Sequence, residues 1–244
     1  MPAHFGLERL NDELAISVVI PVLGDDTPLK QILGHLESAS VAAEEIIVVD
    51  GGQDEACRAL CADHGCTYLS TAPGRGHQLD IGARSARGEV IWFLHADSRP
   101  PESAVEIIRR AVNDGATGGF FRFRFTGNSA WYKWLLAGLI NLRSRMGVPY
   151  GDQGLFILRS RYAETGGFPN LPLFEEVPLV KAARRSGRFI QLTATIGVSP
   201  RRWEQDGWFR RTIENRLLAL GYAAGISPAA LARRYYTQHS VMSE

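Results

Sequence analysis

The ten residues Glu45-Ile46-Ile47-Val48-Val49-Asp50-Gly51-Gly52-Gln53-Asp54 decide the fold class. Four consecutive β-branched residues leave no polar position between them, which suits a strand buried on both faces, as in a parallel sheet. The glycine pair ends the run, and Asp54 has the short acceptor side chain that caps a following helix. The same alternation continues on both sides. Ile16 to Pro21 and Val90 to His95 are further apolar runs, while Pro28 to Ser40, Asp54 to His64 and Gln78 to Arg87 carry apolar residues at helical spacing. Strand and helix in turn predict an α/β fold with a mostly parallel central sheet and right-handed crossovers.

Beyond Pro100 the order becomes mixed. The pattern predicts a helix from Pro101 to about Asn113, a strand over Thr117 to Phe125 with Phe121, Phe123 and Phe125 on one face, and a helix over Tyr132 to Arg145. A short strand over Leu155 to Leu158 follows, then helices over Glu175 to Ser186, Trp208 to Tyr222 and from Pro228 onward. No repeat or low-complexity linker divides the chain, so residues 1–244 are expected to form one domain with sections 1–100, 101–200 and a helical extension 201–244.

At 244 residues and 45% hydrophobic, the chain has the composition of a globular protein, not of a disordered or disulfide-built one. Its 27 basic and 26 acidic residues leave a net charge of +1, which gives no global field for nucleic acid, so any anion site must be local. Cys57, Cys61 and Cys66 with His64 lack the paired spacing of a zinc site and read as buried helix cysteines in a reducing, cytoplasmic setting. The N-terminal MPAHFGLERLNDE has no apolar core and is not a secretory leader. Ala130 to Leu142 contains Lys133 and Asn141 and falls short of the roughly 20 residues a membrane span needs. The C-terminal helices mix Arg with Trp, Tyr and Leu. That pattern fits a core-packed pair, the favoured reading, and also fits helices lying at the inner face of a membrane.

Ligands of open α/β sheets gather at the carboxyl ends of the strands. Asp25 and Asp26, Asp50 and Asp97 all follow strands, and acids converging on one rim suit a divalent cation or ribose hydroxyls, although each alone suits a turn or cap. Pro73-Gly74-Arg75-Gly76-His77-Gln78 places an arginine before a helix, where backbone N–H groups favour an anion. Leu79 stands where a dinucleotide fingerprint needs a third glycine. Glu175 and Glu176 open a helix, where acids complement the dipole, and Arg201 and Arg202 adjoin Trp203. No serine nucleophile elbow or zinc-protease helix is present.

Together ISVVIPVLGD, IIVVDGGQDEA, GRGHQLDIGARSARGEVIWFLHADSRPP, PYGDQGLFILR, GGFPNLPLFEEV and SPRRWEQDGW resemble a family 2 glycosyltransferase with the GT-A fold, over nearly the whole chain. HAD and PYGDQG resemble its small subgroup associated with radical-SAM and selenium-domain proteins or arsenosugar biosynthesis. The resemblance implies an inverting transfer from a nucleoside-diphosphate sugar to an acceptor hydroxyl, aided by a divalent cation, Mn²⁺ or Mg²⁺. It makes residues 1–100 the nucleotide half and 101–200 the acceptor half. It implies that Pro21, Val22 and Asp50 border the nucleotide, that Arg75 faces the diphosphate and that Asp97 binds the cation. His95 occupies the donor side, where many relatives have a further aspartate. Gly151, Asp152 and Gln153 form an acceptor-side loop, Glu175 and Glu176 match an acidic pair containing the catalytic base, and Arg202 and Trp203 lie near the acceptor, the tryptophan stacking on a sugar. Glu176 replaces the usual aspartate. A nucleotide-sugar binder with little turnover is therefore the alternative. A sugar-phosphate nucleotidyltransferase is excluded, because PVLGDD stands where its glycine loop would follow the first strand.

Overall fold

Strand β1 (Ile16–Val22) shows why the apolar runs are continuous. Val18 and Ile20 point into one core with Leu29, Ile32 and Leu33, while Val19 points into a second with Leu79 and Ala83. β2 (Glu45–Asp50) and β4 (Val90–Phe93) divide in the same way, so both faces of the sheet are covered. The computed structural model of the chain describes residues 14–24 and 26–240; the expectations placed on residues 1–13 and on Asp25 lie outside these.

Helices α1 (Asp26–Glu37) and α2 (Glu55–Asp63) lie with α4 (Ala104–Asn113) on the first core, and α3 (Arg75–Ser85) lies on the second. With β3 (Thr67–Ser70), β5 (Ser98–Arg99), β6 (Gly118–Phe125), β7 (Phe156–Leu158) and β8 (Phe189–Val198), the sheet runs β3-β2-β1-β4-β7-β6-β8-β5. The pairs among β1, β2, β3 and β4 are parallel, as is β6 with β8; β7 and β5 pair antiparallel with their neighbours. The sheet is thus mixed and mostly parallel, as the alternation predicts.

The remaining helices are α5 (Trp131–Met146), α6 (Arg159–Thr165), α7 (Glu176–Ser186), α8 (Arg201–Asp206), α9 (Trp208–Ala223) and α10 (Pro228–Ser240). A third, smaller core of Phe123, Phe125 and Val198 packs with Trp203 and Trp208.

Several boundaries move. α3 begins at Arg75 instead of Gln78, β4 ends at Phe93 and leaves His95 in a turn, and the helix expected at Pro101 begins at Ala104. The expectation of a core-packed C-terminal pair fails for α9. α10 buries Leu231 and Ala232, but Phe209, Ile213, Leu217 and Leu220 of α9 are exposed. Cys57 and Cys61 are buried on α2, and burial pushes the Cys57 thiol up to about 12, which leaves it unreactive. Among the described residues no helix is long and apolar enough to cross a membrane.

Candidate active site at the carboxyl rim of the sheet

Because β1 to β4 are parallel, the segments that follow them share one rim. Gln78 ties this rim together: its Nε2 donates to the carbonyls of Val22 at 2.7 Å and Val49 at 2.8 Å, and its Oε1 accepts the Gly74 N–H at 3.3 Å. Arg75, in the first turn of α3, therefore has a fixed backbone.

Its guanidinium meets two carboxylates from a distant part of the chain. Arg75 Nε donates to Glu175 Oε1, and its Nη2 donates to Glu176 Oε1 at 3.3 Å. The N–H of Gly151 donates to the same Glu176 oxygen at 3.0 Å. Glu175 and Glu176 are only 1% and 2% exposed, so they do not serve as solvated first-turn acids. Glu175 Oε2 finds no hydrogen-bond partner among the described residues. Phe174, just before them, holds the left-handed conformation at φ 61°, which costs a non-glycine residue about 1 kcal/mol or more. Its ring stacks on Tyr222 of α9 with centroids 4.7 Å apart, an attraction that offsets part of that cost.

Burial and the neighbouring charge of Glu175 push the Glu176 carboxyl up to about 7, against the lowering influence of Arg75 and the Gly151 N–H. The His95 ring goes the other way. Burial, with the positive charges of Arg75 and Arg202, pushes it down to about 3, so the imidazole is neutral. Its Nε2 is buried without a hydrogen-bond partner among the described residues. Gly151 joins the two groups, because a Cβ at this position would lie 2.8 Å from both Glu176 Oε1 and His95 Nε2. Only glycine lets them close over the same Cα.

Asp152 completes the cluster. Burial raises its carboxyl; Arg143, Arg75 and Arg202 oppose this and Asp97 adds to it, which brings residues from five segments into one electrostatic neighbourhood. Asp97 itself is exposed. The arrangement offers a carboxyl that exchanges a proton near neutral pH, a neutral imidazole, several guanidinium groups and exposed carboxylate oxygen. Among the described residues no three His, Cys, Asp or Glu side chains converge as a ready-made metal cage. A cation here would take Asp97, the exposed carboxylate of this neighbourhood.

Four of the expected site residues have partners within the protein. Asp50 has no exposed surface; its oxygens accept the N–H groups of Gly52 and Asp54, each at 2.6 Å, and the Tyr68 hydroxyl at 3.0 Å, so it shapes the 51–54 loop. Gln153 is fully buried between the Ser144 hydroxyl and the Phe121 carbonyl, and anchors the loop from behind. Trp203 packs edge-to-face in the third core, its ring centroid 5.0 Å from that of Phe125. Arg75 pairs with Glu175 and Glu176, so its charge is shared with them before any diphosphate arrives. Pro21 is half-buried and Val22 buried at the end of β1, with Val22 offering its carbonyl to Gln78. The sequence reading missed Gln78, a glutamine on the apolar face of α3. It also missed Arg143, whose guanidinium lies 3.9 Å from the Tyr150 ring centroid.

The family model described as glycosyl transferase family 2 matches residues 17–166. Among curated proteins, the undecaprenyl-phosphate 4-deoxy-4-formamido-L-arabinose transferase of Pseudomonas paraeruginosa (strain DSM 24068 / PA7) is 29% identical over 156 residues, which is 58% of this chain and 45% of that protein. The chain thus spans less than half the length of the curated relatives it matches. Among solved structures, the mannosyltransferase PcManGT from Pyrobaculum calidifontis, in complex with GDP-Man and Mn²⁺, superposes with a TM-score of 0.64 at 17% identity, covering 90% of this chain and 68% of that one. Glucosyl-3-phosphoglycerate synthase from Mycobacterium tuberculosis, with Mn²⁺, UDP and glucosyl-3-phosphoglycerate, gives 0.56 at 18% identity over 76% and 71% of the two chains. These structures share the fold of this chain.

Proposed function

The chain belongs to glycosyl transferase family 2, and from that membership we propose that it transfers a sugar from a nucleoside diphosphate to an acceptor hydroxyl in one inverting displacement. One observation carries this reading: Glu176 is a buried carboxyl pushed to about 7, and a base works best when its pKa lies near the working pH. Glu176 takes the proton of the acceptor hydroxyl as that oxygen bonds to the anomeric carbon. The bond from that carbon to the diphosphate oxygen breaks, and the negative charge passes to the diphosphate. Arg75 and Arg202 meet that charge, while Glu175 shares Arg75 and keeps Glu176 from ionising too easily. Gly151 and Asp152 lie on the acceptor side and approach the donor sugar, and Pro21 and Val22 border the nucleotide.

Asp97 would hold a divalent cation, Mn²⁺ or Mg²⁺. Bound there, such an ion neutralises charge on a departing diphosphate. Two structural neighbours solved with Mn²⁺ and a guanosine or uridine diphospho ligand support that choice. The HAD and PYGDQG segments extend the reading, by resemblance, to acceptors of the arsenosugar type.

Near-complete burial of both glutamates also favours the competing reading, in which the chain binds a nucleotide sugar without turning it over. Donor consumption in the presence of acceptor separates the two. Glu176→Gln should keep donor binding while lowering turnover by roughly 10² to 10⁴-fold; undiminished turnover would refute the base. Asp97→Ala should abolish the response to Mn²⁺ with the fold intact, and full metal-dependent activity would refute the cation site.

A further inference from the structure

Helix α5 is an unusual element for a protein surface. Trp131, Trp134, Leu135, Leu139, Leu142 and Met146 recur at helical spacing along its full length of about 24 Å, and every one of them is exposed. α9 repeats the pattern with Phe209, Ile213, Leu217 and Leu220. The two helices are tied at both ends. Near their starts Tyr132 packs on Trp208 at 5.0 Å, and near their ends Arg143 lies over Tyr150, whose ring neighbours Phe174, which stacks on Tyr222. An apolar surface of this extent marks a binding face.

Charge identifies what it binds. The sequences of α5, α9 and α10 hold eight lysines and arginines against one acid, Glu214, in a chain whose overall charge is only +1. The rest of the chain is correspondingly acidic. Lys133, Arg210 and Arg211 are paired with Glu204, Glu214 and Asp206, whereas Arg145 and Arg216 form no ion pair among the described residues. Two copies meeting through this face would bring like charges together. Exposed Trp, Phe and Leu beside unpaired arginine is the composition that settles at the boundary between anionic headgroups and acyl chains. We infer that α5 and α9 form a docking surface for an anionic lipid bilayer. This stands on the surface alone and does not depend on the transfer reaction.

The test is co-sedimentation of the full chain with vesicles of phosphatidylglycerol and phosphatidylcholine, and with phosphatidylcholine alone. Binding to the anionic vesicles should be about tenfold or more stronger, and should weaken with salt. Trp134→Glu with Phe209→Glu, at positions 80% and 81% exposed, should cut it about tenfold, with thermal stability and nucleotide-sugar binding unchanged. Arg145→Glu with Arg216→Glu should remove the preference for anionic lipid. In the unaltered chain, anionic vesicles should shift tryptophan emission to the blue, a readout that needs no variant. The inference is overturned if the chain ignores anionic vesicles or if the Trp134 and Phe209 variant binds them equally well. It is also overturned if light scattering shows a dimer that this variant dissociates, since the face would then belong to a second copy.

Discussion

Helices α2 and α7 both open with acidic residues, and they use them in opposite ways. At the start of α2, Asp54 is half-buried and accepts the Ala56 N–H at 2.9 Å, satisfying an orphan donor of the first turn. At the start of α7, Glu175 makes no side-chain cap, and both Glu175 and Glu176 turn inward to Arg75, with Glu176 also taking the Gly151 N–H. The first acid stabilises its helix. The second pair is desolvated, and the cost appears as a carboxyl that holds its proton up to about 7. Position in a helix does not assign the role; burial and partners do.

Substitution separates the two helix starts. The largest effect is expected from Glu176→Gln, with turnover reduced by roughly 10² to 10⁴-fold while donor affinity is kept; isothermal titration beside a donor-consumption assay checks both. Gly151→Ala comes next. Its methyl group would displace Glu176 or His95, and misplacing a reacting group by an ångström costs up to about 10²-fold in kcat. Arg75→Gln removes a charge that favours the Glu176 carboxylate, so the acid limb of the rate profile should move to higher pH. The smallest effect is expected at the other helix. Asp54→Ala should lower stability by about 1 kcal/mol, or Tm by about 3 °C, as read by calorimetry, with kcat unchanged. A large loss of activity there would erase the distinction between the two helix starts.

The parallel half was legible because its strands are buried on both faces, and Val and Ile runs such as Ile46 to Val49 have few other places to go. β8 was not read, since Gln191, Thr193 and Thr195 interrupt its apolar residues and mask a strand that is buried in only part of its length. β3 is short and half-exposed, and β5 has two residues. At the site, the residue types and their order were readable, including both glutamates and Gly151. What could not be read was direction. Nothing local to Trp203 or to the amide of Gln153 says that it points into protein, because Phe125 and Phe121 lie tens of residues away, whereas Asp50 is held mostly by the N–H groups of its own loop, Gly52 and Asp54. The convergence of Arg75 with Glu175 and Glu176 spans about a hundred positions of the chain and appears only when the strands are assembled.

As the proposed base, Glu176 has a proton affinity set by burial and by the charge of Glu175, and the pH dependence of kcat/KM in the unaltered chain and in Glu175→Gln tests this most directly. A base must be deprotonated to act, so kcat/KM should rise about tenfold per pH unit on the acid side and level off above about 7. Removing the charge of Glu175 eases ionisation of its neighbour, so the limb should move to lower pH in the variant. A profile flat through pH 7, or a limb that stays in place in Glu175→Gln, would contradict the account.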